Sequence, residues 1–434
     1  MSKSTILHTG RASLCALGEY LRRRCFFAPL REQVTVPQNM VRYRPIDKVL
    51  DALVGILCGA KTIAQSNVTI RTDPAVQRAF GRTGCADQST IARTLRACTP
   101  ENVAQLERVS WYYLKRYGAT PHHRFHERRL WVDVDSTPMP IGAKAEGSER
   151  PWRGRNRSKT GRKTLRITAS GYRAILHETL RRGKATAVPA LKTALQEVET
   201  RLGWTRERRL QIVLRLDGGF GTTEVLNWLL SRGYQVVAKI SHSGRGRKLR
   251  QALGPWQSTS SPGREIAAVL RPHRFCRATR QWVSRTPKEK GGYQYAVLVT
   301  TLADLDPVAL ADAYDGRAMI EATFCQDKQA LGLGTRWQRR WEAQQMVLLL
   351  ARLAHHLLLW GKQWLSRVPT TRQRLRGYGL VRLLRDVWAV PGVIRWRRGW
   401  MVSVRFSPLH PLATPLQESF SVLFRGRVRV GYLR

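Results

Sequence analysis

The stretch RRLWVDVDSTPMPI, residues 128–141, alternates apolar and polar side chains as a half-buried β-strand does. Val132 and Val134 face one side of such a strand, whereas Asp133 and Asp135 face the other. A Ser-Thr-Pro sequence follows Asp135, so the chain has to turn there. The stretch therefore predicts a strand that carries an acidic side chain to the edge of a sheet.

The segments that follow predict an α/β fold with a mixed sheet. TLRITASGY, RAILHETLRRG, LQIVLRLD and YQVVAKI have strand patterns, and two amphipathic helices separate the last three of them. After an irregular region, YQYAVLVTTL is a further strand, and DPVALADAYDGRAMIEATFCQDKQALGLG is one helix or two. An apolar helix over residues 341–365 contains an arginine and two histidines. It is too polar and its apolar run too short to span a bilayer, so we expect it to pack in the core.

The charge of the chain is far from average. Lys and Arg total 75 against 30 acidic residues in 434, a formal net charge of +45, and hydrophobic residues make up 43%. The hydrophobic content excludes a disordered tail, and the charge predicts a polyanionic partner, DNA or RNA. The alternative is adaptation of a whole proteome to acid or salt.

Composition divides the chain into six segments. The region from residue 47 to 118 predicts short helices with an exposed Arg93, which suits a small DNA-binding domain; the alternative is a helical cap with a solvated basic face. The predicted segments are a basic N-terminal segment (1–46), a helical DNA-binding domain (47–125), the first part of the α/β core (126–240), a β-rich insertion (241–292), the second part of the core (293–365) and a basic C-terminal region (366–434) that the sequence does not place.

Three acidic residues occupy positions that predict a shared site. Asp135 and Asp217 each end a strand, and Glu321 lies on a late helix that can cross the same sheet edge. Three converging carboxylates repel one another unless a cation lies between them, and hard oxygen ligands favour Mg²⁺ or Mn²⁺. Two such ions could hold both oxygens of a phosphodiester displacement. Asp133 lies on the same face of the strand as Asp135. We favour Asp135 as the metal ligand and expect Asp133 to lie next to the metal ligands without binding the metal itself.

The late helix carries four long polar side chains. Tyr314, Arg317, Glu321 and Lys328 are spaced so that one continuous helix would place them on one stripe. The alternative is a surface helix in which Arg317 and Glu321 form an ordinary i, i+4 ion pair.

Together these residues resemble a known family, the DDE transposases of bacterial insertion sequences, which have an RNase H-like fold. The spacing Y-x2-R-x3-E-x6-K matches the signature of one subgroup, and DVDST and LRLDGGFG are similar to its two aspartate motifs. The resemblance covers roughly residues 47–365. It implies that Asp135, Asp217 and Glu321 bind two Mg²⁺ ions, for which Mn²⁺ can substitute. It also implies that a 3′-OH at the transposon end attacks target DNA.

Further DNA-contacting residues are expected on the same grounds. The resemblance assigns Tyr314, Arg317 and Lys328 to phosphate or base contacts near the cleavage point. Trp256 and Trp282 are candidates for stacking on a flipped base, with local core packing as the alternative. A loop over residues 144–163 holds eight basic and two acidic residues, and its candidates for DNA contact are Arg153, Arg155, Arg157 and Lys159, alongside Arg93 of the helical domain.

The expected partners are the terminal inverted repeats of a transposon and target DNA, bound as double strands by a homodimer, with no membrane association. Seven cysteines without a C-x-x-C pair suit a reducing compartment, here the cytoplasm of a bacterium, at the nucleoid. Three other functions are open: a structure-specific nuclease without strand transfer, a catalytically inactive DNA-binding descendant of a transposase, and a basic RNA-binding structural protein.

Overall fold

A computed structural model describes residues 4–39, 42–150, 160–240, 249–250, 252–335 and 338–433. Within them, thirteen strands form a nine-stranded and a four-stranded sheet. The strands are β1 Thr5–Thr9, β2 Leu130–Pro140, β3 Gly161–Ala169, β4 Ala174–Arg182, β5 Ile212–Leu216, β6 Gln235–Lys239, β7 Gln257–Ser258, β8 Glu265–Ala268, β9 Arg280–Pro287, β10 Tyr293–Thr300, β11 Gly392–Arg397, β12 Trp400–Phe406 and β13 Arg429–Tyr432.

Helices surround the sheets and make up most of the region before β2. The α-helices are Ala12–Arg23, Ala28–Gln33, Pro45–Leu57, Ser66–Thr69, Pro74–Ala79, Gln88–Ala97, Pro100–Tyr117, Ala187–Leu202, Arg206–Arg209, Thr223–Ser231, Pro307–Asp315, Ala318–Ala330, Trp341–Leu365, Pro369–Leu375, Leu380–Arg382 and Ala413–Phe424, with shorter helical turns at Thr120–His122, Ser170–Tyr172 and Leu383–Val387.

The large sheet has the order β4-β3-β2-β5-β6-β10-β9-β8-β7. β2, β3 and β4 pair antiparallel, while β2, β5 and β6 pair parallel, so β2 is the strand about which the direction of the sheet changes. Val132 and Val134 of β2 are fully buried, as their alternation predicts. This arrangement confirms the predicted mixed-sheet, RNase H-like α/β fold.

The segment 241–292, predicted as a β-rich insertion, adds to this sheet. β9 pairs with β10 along eight residues, and β8 and β7 continue outward from β9. The insertion therefore widens the core sheet within its described residues. Sequence alternation predicted strands here but could not show which sheet they join.

The polar stripe does not lie on one continuous helix. Tyr314 belongs to the helix Pro307–Asp315, while Glu321 and Lys328 belong to the helix Ala318–Ala330, called here the glutamate helix. The amide of Arg317 bonds the carbonyl of Tyr314 three residues earlier, so the backbone tightens at this junction. A Cβ at Gly316 would lie 2.2 Å from Nη1 of Arg215, so glycine lets that guanidinium pass through the break.

The apolar helix predicted over 341–365 is confirmed as Trp341–Leu365, the long helix. It packs against β4 and against the helices Pro45–Leu57 and Pro100–Tyr117, and most of its side chains are buried. It therefore joins the helical region before β2 to the core sheet. No helix among the described residues has the length and apolarity that crossing a bilayer requires.

The two ends of the chain meet in the second sheet, whose order is β1-β11-β12-β13. β1, from the segment predicted as a basic N-terminal segment, pairs antiparallel with β11. The helix Ala12–Arg23 that follows β1 is buried along ten of its residues. The basic C-terminal region, which the sequence left unplaced, thus folds together with the start of the chain; the sheet they form is called here the terminal sheet.

Candidate active site

Asp135 lies on β2 beside the parallel strand β5, and its side chain is 12% exposed. Its Oδ1 accepts a hydrogen bond from the amide of Ser136 at 2.8 Å. Burial raises the pKa of Asp135 to about 6, although Arg317 and this hydrogen bond lower it; the charges of Asp217 and Glu321 add to the rise. The three carboxylates therefore repel one another electrostatically across a shared space.

Asp217 follows β5 directly, so the parallel pairing of β2 and β5 brings the two aspartates to one edge of the sheet. Its Oδ1 accepts a hydrogen bond from the amide of Gly219 at 2.9 Å. A Cβ at Gly221 would lie 1.7 Å from the carbonyl oxygen of Lys239, so the turn after Asp217 packs on the end of β6 only with glycine there.

Glu321 lies in the first turn of the glutamate helix and is 58% exposed. Arg317, immediately before that helix, donates from Nη2 to Oε1 of Glu321 at 2.5 Å, and its Nη1 lies 3.5 Å from Oδ2 of Asp135. One guanidinium therefore balances two of the three carboxylates. The predicted i, i+4 pair is present, but it belongs to the acidic site and not to an isolated surface helix.

An open cleft of about 600 Å³ gathers these groups. Its lining is Asp135, Ser136, Thr137, Asp217, Arg317, Glu321, Phe324, Cys325, Lys328 and Gln329. The structure thus brings all three predicted acids and two of the predicted basic residues to one cavity. Residues separated by up to 194 positions in the sequence meet there because β2, β5 and the glutamate helix share one sheet edge.

Lys328 and Tyr314 flank the acids. The Nζ of Lys328 donates to Oγ1 of Thr137 at 2.8 Å, and burial lowers the pKa of its ammonium group. Burial also raises the pKa of Tyr314. The Tyr314 ring packs partly on the apolar cluster beside β5. The charges of Arg317 and Asp217 also act on its hydroxyl group. Lys328 is therefore held above the strand that carries Asp135.

Asp133 forms a buried ion pair instead of facing the cleft. Its two oxygens accept from Nε and Nη2 of Arg215 at 2.5 and 2.9 Å, and Oδ2 also accepts from Ser170 at 2.6 Å. Nη1 of Arg215 donates to the carbonyl of Ala313 at 2.9 Å. The pair therefore connects β2 and β5 to the helix that precedes the glutamate helix, which is the supporting position expected for Asp133.

A second buried charge network holds the glutamate helix, and sequence reasoning missed it. Asp327 accepts from Arg166 of β3 at 2.7 Å and lies 2.8 Å from Nδ1 of His355 on the long helix. Arg166 also donates to Glu178 of β4 at 2.6 Å. The signal in the sequence was the charged residue Arg166 within a strand of the core, because a buried charge needs a buried partner.

The remaining predicted DNA contacts lie elsewhere. Arg93 is exposed on the helix Gln88–Ala97. Trp256 is half-buried, with the guanidinium of Arg285 4.0 Å from its ring centre. Trp282 is 7% exposed within an apolar cluster, which favours the alternative of local core packing; its stacking on a base stays a prediction. The basic-loop candidates Arg153, Arg155, Arg157 and Lys159 fall outside the described residues.

A different trio has the tightest arrangement of potential metal ligands. Among the described residues, Glu107, His177 and Glu197 form the one His, Cys, Asp or Glu group whose ligand atoms all lie within 4.8 Å of one another. Arg352 pairs with Glu107 at 2.8 Å, and Arg201 approaches Glu197 at 3.6 Å, so two guanidinium groups already balance this trio. The acids of the cleft are more widely spaced, with Arg317 between two of them.

Comparison with known proteins identifies the family of the chain. Residues 19–423 match the family described as transposase DDE domain group 1. A cryo-EM structure of the piggyBac transposase synaptic complex with hairpin DNA aligns at 12% sequence identity and a TM-score of 0.43, covering 88% of this chain and 86% of that chain. No curated protein matches the sequence. Because the family match spans nearly the whole chain, the protein belongs to the DDE transposases of this group.

Proposed function

We propose that this protein is an active transposase of a bacterial insertion sequence, of the subgroup with the Y-R-E-K signature. It binds the terminal inverted repeats as double-stranded DNA, cleaves phosphodiester bonds and transfers the 3′-OH end to target DNA. The observation that carries the proposal is the cleft in which Asp135, Asp217, Glu321, Arg317 and Lys328 meet. A net charge of +45 supports a polyanionic substrate.

The donor set of the cleft fits divalent cations. Asp135, Asp217 and Glu321 offer hard carboxylate oxygens. Burial, and to a smaller extent the charges of Asp217 and Glu321, raises the pKa of Asp135, and a cation bound there would stabilise its charged form. Two Mg²⁺ ions, or Mn²⁺ in their place, would activate the attacking oxygen and stabilise the leaving oxygen. We assign Asp135, Asp217 and Glu321 as the residues that hold them.

The basic residues of the cleft position the DNA. Nη1 of Arg317 is buried without a hydrogen-bond partner and lies 3.5 Å from Asp135, so it can donate to a phosphate oxygen beside the acids. Lys328 adds a point charge on the side of Thr137. Tyr314 can donate from its hydroxyl to the same phosphate. These three groups hold the scissile bond against the acids and leave the chemistry to the carboxylate site.

Two DNA ends have to be joined, so we expect a homodimer on DNA, acting at the nucleoid in the bacterial cytoplasm. The DNA partner is a proposal from the charge and the cleft.

The proposal is tested by nicking of a duplex that carries the inverted repeat flanking the gene. With Mg²⁺, we expect wild-type protein to nick this DNA and Asp217→Asn to lose activity, whereas the matched variant Glu289→Gln, at an exposed position outside the cleft, retains it. Equal nicking by wild type and Asp217→Asn would contradict the assignment of the three carboxylates as the metal-binding site. A joining assay with target plasmid then separates the functions, because free cleaved ends without joined products indicate a nuclease.

A further inference from the structure

The outer face of the terminal sheet is lined by arginines. In β11, Ile394 and Trp396 point into the core, at 0% and 2% exposure, while Arg395 and Arg397 between and after them are exposed. The alternation of a strand therefore places apolar side chains on one face of the sheet and guanidinium groups on the other. This face lies apart from the cleft already described, since none of its residues lines that cleft.

The neighbouring strands continue the arginine pattern in register. Ser403 of β12 lies opposite Arg395 on one side and Arg429 of β13 on the other, which makes one row across three strands. Arg405 begins the next row, opposite Gly431 of β13. Adjacent strands are about 4.8 Å apart, so these groups form a two-dimensional array. A β-bulge between Arg395 and Trp396 shifts its register towards Arg397.

No acid balances the array. Residues 391–434 contain eight arginines and one acidic residue, Glu418, whose carboxylate accepts a hydrogen bond from Thr370. Among the described residues, no carboxylate lies within ion-pair distance of the five arginines that line this face, Arg395, Arg397, Arg405, Arg427 and Arg429. Guanidinium groups concentrated on one face without carboxylate partners create a strongly positive field, which indicates an anionic ligand.

The face is concave and large. It encloses about 1000 Å³, bounded by the five arginines and by the small residues Ser403 and Gly431. A single phosphate would fill a small part of this space, whereas a polymer backbone meets several guanidinium groups at once, each of which can bind a phosphate through two N–H donors. The arginine side chains therefore suit the phosphates of a nucleic acid, and phosphate contacts do not depend on the base sequence.

We propose that the outer face of the terminal sheet binds the phosphodiester backbone of duplex DNA without reading its sequence, as a contact surface separate from the catalytic cleft. The inference rests on the proposed function for the identity of the polyanion. It explains why the two ends of the chain are brought together: β1 completes the sheet on which the array is displayed.

The test compares two triple variants of the full-length protein. Arg395, Arg405 and Arg429 are changed to Gln, one on each of three strands. The matched control changes Arg78, Arg374 and Arg376 to Gln, which removes the same charge from exposed positions outside the terminal sheet. Affinity for a duplex of arbitrary sequence is measured between 50 and 200 mM salt, and circular dichroism verifies that both variants fold.

Each lost phosphate contact lowers the magnitude of the slope of log K against log salt concentration by about 0.9. We therefore expect this magnitude to fall by about 2.7 in the sheet variant and by less in the control. A further variant with Lys at the three sheet positions should recover most of that slope, because its charges remain. Equal slopes for wild type and the Gln variant of the sheet would overturn the inference, as would a preference of this face for single-stranded RNA of equal length. Neither outcome depends on nicking at inverted repeats, so failure of this surface and failure of the transposase proposal give different results.

Discussion

Asp133 and Asp135 share one face of β2 but have different surroundings. Asp133 lies inside the sheet and is paired with Arg215, whereas Asp135 lies at the edge and faces Arg317 across the cleft. Two residues along a strand are enough to change a carboxylate from a structural ion-pair partner into a candidate metal ligand. The deciding factor is the partner that adjacent strands provide.

Lys328 gives a prediction at the residue scale. Lys328→Ala should reduce the rate of DNA nicking by about 10²-fold, because a fixed positive charge beside the scissile phosphate is lost. Since Lys328 makes two side-chain hydrogen bonds within the described part of the chain, to Thr137 and to the carbonyl of Pro138, we expect the free energy of unfolding to change by about 1 kcal/mol or less. Single-turnover nicking and urea denaturation measure both effects, with exposed Lys290→Ala as the control. Unfolding of the variant together with unchanged specific activity would contradict this role.

His356 gives a second prediction. It is buried in the long helix, its Nε2 accepts a hydrogen bond from the amide of Ile175 at 3.1 Å, and burial together with His355, Arg352 and Arg166 holds its pKa well below the ordinary 6.5. The folded protein therefore keeps His356 neutral where the unfolded chain takes up a proton. Stability should fall as pH drops below about 6.5, by about 1.4 kcal/mol per pH unit from this group.

Urea denaturation at pH 7.5 and pH 5.5 measures this dependence. His356→Gln should lose less stability than wild type over that interval, while His126→Gln, at an exposed position, should behave as wild type does. If wild type and both variants lost equal stability, another group would be responsible for the acid sensitivity.

At the scale of elements, the glutamate helix is positioned by buried charges as well as by the buried apolar side chains of Ile320 and Phe324. Asp327 joins it to Arg166 on β3 and to His355 on the long helix, and all three side chains are at most 2% exposed. The break before the helix is filled by Arg215, which bonds the carbonyl of Ala313. Two buried ion pairs thus set the direction in which Glu321 projects.

Asp327→Asn tests this arrangement. Removing one charge of a buried network leaves Arg166 with Glu178 alone, so we expect a loss of about 3–5 kcal/mol in unfolding free energy, accompanied by slower nicking. The control is Asp315→Asn, which removes a 42% exposed partner of Arg264 and should cost about 1 kcal/mol or less. Similar losses in both variants would show that the buried network does not fix the helix.

At the scale of the whole molecule, the charge of +45 is distributed over both sheets and the helical region. A compact chain of this charge repels itself, and binding a polyanion relieves that repulsion while it releases counterions. The cleft and the terminal sheet would each neutralise several phosphates.

Binding of duplex DNA by the wild-type protein should therefore weaken steeply with salt. If six to ten phosphates are neutralised, affinity falls by about 10³–10⁵-fold between 50 and 200 mM salt. Fluorescence anisotropy with a labelled duplex measures this dependence, and an uncharged crowding agent at equal osmolality serves as the control. Affinity that barely changes over this range would contradict a phosphate-dominated interface.

The sequence by itself determined the strand that carries Asp135, the strand that ends before Asp217 and the core helix Trp341–Leu365, because local alternation and helical spacing encode them directly. The predicted turn after Asp135 was wrong, since β2 continues to Pro140 and pairs with β3 along that extension. The positions of the three acids supplied the expectation that they act together, and the family resemblance added the two Mg²⁺ ions and the strand-transfer reaction.

Only the tertiary structure decided that Asp133 pairs with Arg215, 82 positions away, that the helix breaks at Gly316 to admit that arginine, and that β1 completes the sheet of β11. It also decided that Trp282 lies in the core. The physical reason is that periodicity reports which face of an element is buried, whereas the partner of a buried charge or an open strand edge comes from a distant segment and is fixed only when the elements pack.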